Sequence, residues 1–328
     1  MAILLVTHSK DNDAPLAVAR ALEARGERVY RLDTDFFPTG LQLSLDEGGG
    51  GRLSGPEGVL DLAEVSALWY RRNATGAAIP KTLDEQLRRP SVEESRRLLF
   101  GMMAALGVFQ LDALEQVRRA EHKPLQLTLA RALGLEVPRT LMTNDPTAVR
   151  AFAASCPGGV VTKMMSSFAV YSEEGREQVV FTTPLSARQL EDLEGLDLCP
   201  MTFQERLPKA LELRVTVVGE RVMAAAIDSQ ALPGAREDWR REGAALIDAW
   251  RPYTLPEPIQ ARVLRLMDAL GLNYGAFDFV VTPEGRHIFL EVNPVGEFMW
   301  LMRHPGLPIH EALADVLCGR VARRTAPS

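Results

Sequence analysis

Gly275-Ala276-Phe277-Asp278-Phe279-Val280-Val281, Thr282-Pro283-Glu284-Gly285 and His287-Ile288-Phe289-Leu290-Glu291-Val292-Asn293-Pro294 form the stretch that decides the fold. Two apolar runs flank a turn containing Pro and Gly, the pattern of a β-hairpin. Strand period two puts Glu291 and Asn293 on one face, and Asp278 can lie opposite them on the partner strand. A solvated polar face accounts poorly for this trio, because isolated acids in strongly apolar strands are costly. Two carboxylates and a carboxamide oxygen converging there suit a hard cation such as Mg²⁺, held together with phosphate oxygens.

Upstream, apolar runs over 211–218 and 221–229 surround Gly219-Glu220, a second hairpin with a two-residue turn. Its leucines and valines take one face, and Glu212, Arg214 and Thr216 take the other. An arginine held on a strand is a bidentate clamp for phosphate or carboxylate. Taken alone, a Glu–Arg surface pair explains the pattern equally well. With Glu205 and Lys209 just before it, a charged cleft between the two hairpins is more economical. Lys163 stands alone in Val160-Val161-Thr162-Lys163-Met164-Met165, either snorkelling from a strand edge or binding phosphate. Lys123, before Pro124 at a helix start, reads by default as a helix-surface lysine.

The chain starts as a βαβ unit. Ile3-Leu4-Leu5-Val6 is a strand, Asn12 or Asp13 caps a helix through Arg25, and 28–32 resumes a strand. No glycine fingerprint follows the first strand, which argues against a dinucleotide site there. His8 sits just past that strand, where ligands often bind in parallel sheets. Gly48–Gly51 marks a loop, and Val65–Tyr70 is a strand ending in Arg71-Arg72. A helical region covers about 92–133, with a break near 107–112. Beyond Val137 the texture is β and mixed α+β. Strands at 160–165 and 178–182 flank a turn with Glu173-Glu174-Gly175, Ser186 starts a helix, and 201–207 is a strand. Helices at 258–270 and 309–317 follow, and the tail after Cys318 reads as frayed.

The 328 residues carry a net charge of −6, which argues against a basic nucleic-acid-binding surface. The longest stretch without charged residues, 98–111, is 14 residues, short of the roughly 20 that span a bilayer. No basic segment precedes the N-terminal apolar run, so a secretory signal is not expected. Cys156, Cys199 and Cys318 are scattered, fitting neither a disulfide framework nor a zinc site. A cytoplasmic protein of two or three domains is expected.

Lysine on a strand, Phe-Gln-Glu-Arg-Leu (203–207), Glu-Leu-Arg-Val-Thr-Val-Val-Gly (212–219) and Asp278 followed by Glu-Val-Asn-Pro (291–294) together resemble the ATP-grasp ligases. The resemblance implies an α/β and α+β architecture in three parts. These are an N-terminal pre-ATP-grasp α/β domain (1–115), a small central domain (116–200) and a C-terminal catalytic domain (201–328). It implies that Lys123 and Lys163 hold ATP phosphates, that Gln204, Glu205, Arg206 and Leu207 form the hinge against adenine, and that Glu212 binds ribose. It further implies that Asp278, Glu291 and Asn293 hold two Mg²⁺ and that Arg214 faces the transferred phosphate. There are two departures. No glycine-rich lid follows Lys163, and Ala276 stands where several amino-acid ligases of this superfamily carry an arginine, which disfavours a free amino acid as substrate.

Narrower fragments are similar to the maturases of microviridin-type peptides, the graspetides: Ser66–Arg72, Gln204–Lys209, Ile227–Gln230, Asp238-Trp239-Arg240 and Asn293–Trp300. This implies a precursor peptide whose Asp or Glu side chains are joined to Thr, Ser or Lys side chains. It also implies a leader docked on about 165–215 and a homodimer. Arg240 would join Arg214 in supplying charge, although Asp238-Trp239-Arg240 also fits an ordinary capped helix start. Trp69 and Trp300 read as core aromatics, and His122, His287, His304 and His310 as structural. An ATP-grasp ligase adding an amino acid and a non-catalytic ATP-binding regulatory module are the competing expectations.

Overall fold

The structure, a computed structural model, describes residues 1–165, 169–171, 177–179, 182–231, 239 and 247–324. At the N-terminus, β1 (Ala2–Thr7) is buried along its whole length and pairs in parallel with β2 (Arg28–Asp33). The short apolar strand is thus a central one, as expected for a run without polar alternation. Between them, α1 (Ala14–Glu23) buries Ala14, Val18 and Leu22. The glycine run leads into something more than a loop. β3 (Gln42–Leu45), β4 (Gly51–Gly55) and β5 (Gly58–Asp61) form an antiparallel sheet of their own. A Cβ on Gly51 would lie 2.3 Å from the Ser44 carbonyl, so that strand can approach its neighbour only as glycine.

β6 (Val65–Tyr70) pairs with β1, and β7 (Phe109–Leu111) completes a parallel sheet in the order β2-β1-β6-β7. The expected helical region is three helices, with β7 in its break. They are α2 (Glu85–Ala105), α3 (Leu114–Glu121) and α4 (Lys123–Ala132).

The next unit holds β8 (Thr140–Thr143), α5 (Pro146–Ala154), β9 (Val160–Lys163), β10 (Ala169–Tyr171), β11 (Glu177–Val179), β12 (Thr183–Pro184), α6 (Ala187–Glu191) and β13 (Met201–Glu205). Its sheet runs β12-β9-β13-β8, while β10 and β11 pair with each other. The turn at Glu173-Glu174-Gly175 lies outside the described residues. Ser186 starts α6 through a capping box with Gln189. β13 lies between β9 and β8, so strand pairing carries this unit to residue 205, past the expected boundary at 200.

The last unit contains β14 (Leu211–Val218), β15 (Arg221–Ile227), β16 (Arg251–Tyr253), α7 (Glu257–Leu270), β17 (Tyr274–Val281), β18 (His287–Asn293), α8 (Met299–Arg303) and α9 (Ile309–Leu317). The two predicted hairpins are one antiparallel sheet, ordered β16-β15-β14-β17-β18, because β14 pairs with β17. There is no cleft between them; their polar residues share one sheet face. The opposite face (Leu213, Val215, Val217, Phe277, Phe279 and Phe289) packs on α7 and on Ala120 and Ala130 of α3 and α4. By packing, α3 and α4 therefore contribute to this core. Burying each such phenylalanine contributes about 1.5–3 kcal/mol.

Half of the polar-residue face is also core. Val218, Ala225, Ile227, Tyr274 and Ala276 pack with α1, α9 and Trp69, joining this sheet to the N-terminal one. Arg25 strengthens the join, ion-pairing with Asp315 at 2.8 Å and Glu311 at 2.7 Å. The tail is not frayed as far as it is described. Arg324 donates its backbone N–H to Asn273 and its Nε–H to the Gly219 carbonyl, and the Arg323 guanidinium lies 3.9 Å from the Phe109 ring centre. Guanidinium donors matched to turn carbonyls hold a segment that composition alone leaves loose. Among the described residues no helix is long and apolar enough to cross a membrane.

Candidate active site

The other half of that face is charged. Asp278 lies directly opposite Glu291, and Ala276 opposite Asn293. The bulge just after Asp278 lets the acids face each other while Phe279 meets Phe289 in the core. Asn293 Nδ2 lies 3.3 Å from Asp278 Oδ2 and 3.4 Å from Glu291 Oε1, so the predicted trio converges.

Lys123 joins it, which corrects the default reading of a helix-surface lysine. Its Nζ is 3.0 Å from Glu291 Oε2 and 3.4 Å from Asn293 Oδ1, and its side chain is 17% exposed. The cause is the docking of α4 on β18. Buried Gln126 donates to the Val292 carbonyl and accepts from the Val292 N–H, clamping helix to strand so that the first helical residue reaches the acids. Burial works to raise the Glu291 carboxyl. The charges of Lys123 and Lys163 and hydrogen bonds from Lys123 and Asn293 outweigh it and hold the group well below the usual carboxylate range. Lys163, on the sheet across the site, thus acts on the same carboxylate.

Arg214, opposite Asp278 on β14, is 8% exposed. Its Nη1 is 2.7 Å from Asp278 Oδ1, its Nη2 donates to the Glu297 carbonyl at 3.2 Å, and its guanidinium lies over Trp300, 5.2 Å from the ring centre. Trp69 is core, as expected, whereas Trp300 packs in the core and also carries Arg214. Glu212 shares the face, 3.3 Å from Lys209. On the central sheet, Lys163 pairs with Thr202, and Gln204 with Val161 and Thr140. Lys163 and Gln204 therefore share the face turned away from the helix-covered core of Val149, Val160 and Phe203.

Gln204 donates to Thr140 Oγ1, and Glu205 accepts the Arg139 N–H. The Arg206 N–H donates to the Gly159 carbonyl, and Leu207 is half-buried in the link between the two sheets. Arg240 lies outside the described residues, while Trp239 packs against Trp250 and Trp300. Tyr274 donates its hydroxyl to the Gly296 carbonyl at 2.6 Å, and a Cβ on Gly296 would come within 2.5 Å of the Ala276 Cβ. The turn after Asn293 thus covers Ala276, and an arginine there would have no room.

Sequence reasoning passed over buried Arg71 and Asp11 and half-buried Glu297, which form a charge chain beside Arg214, and over Asp112. The signals for Arg71 were a charged residue ending a strand of a parallel sheet and its place in a family-like fragment. Among the described residues no three His, Cys, Asp or Glu side chains cluster so as to hold a metal by themselves. Two carboxylates and an amide are a donor set that fits Mg²⁺ sharing its shell with phosphates.

Residues 2–118 match the family model of the MvdD pre-ATP grasp domain. Over the whole chain, the macrocyclase MdnC from Microcystis aeruginosa MRC, solved bound with precursor peptide MdnA, is 47% identical. The match covers 97% of this chain and 100% of that one, with a TM-score of 0.89. This chain belongs to the ATP-grasp macrocyclase family. A RiPP-associated ATP-grasp ligase from Chryseobacterium gregarium, solved with ADP and a leader and core peptide, is 36% identical over 100% of this chain and 99% of its own, with a TM-score of 0.94. The ATP-grasp ligase PsnB, solved with minimal precursor, Mg and ADP, is 25% identical over 97% of each chain, with a TM-score of 0.76. No curated protein sequence matches. The architecture expected from sequence, an ATP-grasp fold behind a pre-ATP-grasp domain, is that of this family.

Proposed function

We propose that this ATP-grasp ligase is a microviridin-type graspetide maturase, which closes rings in a ribosomally made precursor peptide. A carboxylate oxygen of a peptide Asp or Glu attacks the γ-phosphorus of ATP, giving an acyl phosphate and ADP. A Thr or Ser hydroxyl, or a Lys amine, of the same peptide then attacks the acyl carbon. It loses its proton, phosphate departs, and an ester or amide remains. The observation that carries this reading is the convergence of Lys123 and Arg214 on Asp278, Glu291 and Asn293 over one sheet face.

In this reading Asp278, Glu291 and Asn293 hold Mg²⁺, as two ions, and the metal supplies charge neutralisation for phosphoryl transfer. Lys123 and Lys163 bind ATP phosphates, Gln204 to Leu207 line the adenine, Glu212 binds ribose, and Arg214, with Arg240, neutralises the transferred phosphoryl. Little covalent work falls to the protein, so positioning and charge dominate. The leader takes the groove of about 320 Å³ on the central sheet, lined by Leu185, Leu193, Leu196 and Phe203 with Asp192 and Glu194. Leu198 beside it is 85% exposed, an apolar contact suited to a peptide. We further place the enzyme in the cytoplasm as a homodimer, the latter to be checked by light scattering.

Mass spectrometry with ATP, Mg²⁺ and the precursor encoded beside the gene tests the reading. Each ring should remove one water from the peptide and release one ADP. Mass gain by an amino acid would favour the amino-acid-adding ligase, which the Ala276–Gly296 contact disfavours. Absence of phosphate and ADP release would favour a regulatory module.

A further inference from the structure

Arg214 is the arginine on which the proposed chemistry turns, and the role inferred below for its neighbour Glu297 rests on that reading. Among the described residues, the Glu297 carbonyl and the Trp300 ring, both in contact with Arg214, belong to the turn after Asn293. The Glu297 side chain fixes that turn. Its Oε1 accepts from the Phe298 and Met299 N–H groups at 2.9 and 2.7 Å, locking the peptide that carries the carbonyl. Its Oε2 meets Arg71 Nη2 at 2.7 Å and Arg72 Nη2 at 3.3 Å. Arg71 in turn is held by Asp11 at 2.8 Å, with its guanidinium over the rings of Phe298 and Trp69. The Arg71 and Asp11 side chains are 2% and 4% exposed, so this is a built chain and not a solvated surface pair.

We propose that Glu297 is a positioning residue for Arg214. It ties the turn that aims the guanidinium to Arg71 and Asp11 at the edge of the N-terminal sheet. Docking of the N-terminal sheet thereby becomes part of the catalytic geometry, and Ser66–Arg72 and Asn293–Trp300, distant in sequence, form one device. The energetic logic is that of orientation, where a misplacement of about 1 Å can cost on the order of 10²-fold in rate.

The test is a cycle of Glu297→Ala and Glu297→Gln in the wild-type and Arg214→Lys backgrounds, with ADP release and ring closure measured on the full precursor. In the wild-type background Glu297→Ala should lower kcat by about 10- to 10²-fold with little change in the KM for ATP. Glu297→Gln, which keeps an oxygen for the two N–H groups, should fall between. In the Arg214→Lys background, which has no guanidinium to aim, the same substitutions should cost less than about threefold. A Glu297→Ala enzyme within about twofold of wild-type kcat, or an equal loss in both backgrounds, overturns the role. If Glu297→Ala does not fold, Glu297→Gln and Arg71→Lys complete the same cycle. An Arg214→Ala enzyme with normal turnover would instead remove Arg214 from the chemistry. That outcome is distinct from an inactive Arg214→Ala beside an unaffected Glu297→Ala.

Discussion

Two carboxylates, one half-buried on the C-terminal sheet and one fully buried at the edge of the N-terminal sheet, meet opposite fates. Glu291, on β18, faces Lys123 and Lys163 and is kept ionised against the cost of burial. Asp112, between β7 and α3, faces no cation among the causes acting on it. It accepts from the Asn273 and Tyr274 backbone N–H groups and the Asn273 amide, and burial still pushes it up to about 7. Both are costly to bury, so depth alone does not mark a functional acid. The difference is what answers the charge. Mobile lysine heads can exchange a carboxylate for a phosphate, whereas backbone donors cannot leave. The Glu291 cluster can therefore be reorganised by a ligand, while Asp112 serves as a rivet between the N-terminal sheet and the strand that carries Asp278.

The comparison breaks most visibly at Arg214. Losing one preorganised charge contact typically raises a barrier by about 2.7–4 kcal/mol, so Arg214→Ala should cut ADP release with precursor present by about 10²- to 10³-fold. Circular dichroism should still show cooperative unfolding. Near-normal turnover would place the arginine outside the chemistry. Asp112→Ala should do the reverse, because it leaves buried N–H groups of Asn273 and Tyr274 unpaired. A loss of about 1–3 kcal/mol in urea unfolding is expected. The folded fraction should keep its KM for ATP, and a large KM change would tie Asp112 to the site.

The two groups also differ in how legible they were. Asp278, Glu291 and Asn293 could be read because strand alternation turns spacing into a shared face, and the hairpin turn supplied the register. Spacing could not place Lys123, which only the family resemblance marked, since its partner Asn293 lies 170 positions away and the docking of α4 through Gln126 brings them together. Arg71 and Glu297 were visible as family-like fragments, but their contact spans 226 positions. The same limit hid the domain edges. Whether 201–205 pairs with the central sheet, or α3 packs beneath the catalytic one, is decided by tertiary partners and not by local pattern. The short strands β3 to β5 were missed because glycines and acids mask their alternation. The tail was misjudged because its arginines find carbonyls that no local rule supplies.

The smallest expected effect sharpens the contrast through pH. Asp112 titrates near 7 when folded and near 3.8 otherwise, so its proton binds the folded state better. Its contribution to stability is present below about pH 4 and lost as pH rises towards 7. Glu297 has the opposite sign. Burial works to raise it, but the Arg71 charge and the hydrogen bonds from Met299, Asn12 and Arg71 bring it down to about 2. Its contribution is present above about pH 4.5 and lost as pH falls towards 2. Relative to the wild type, Asp112→Asn should therefore lose its deficit as pH rises from 4.5 to 7.5, whereas any deficit of Glu297→Gln should stay level over that window and shrink only in acid. Urea midpoints at both pH values, with the slope of unfolding held constant, read this directly. Parallel curves for the two variants between pH 4.5 and 7.5 would mean that Asp112 stays ionised. Its three N–H donors would then suffice without a cation, and the distinction between the rivet and the Glu291 cluster would rest on mobility alone.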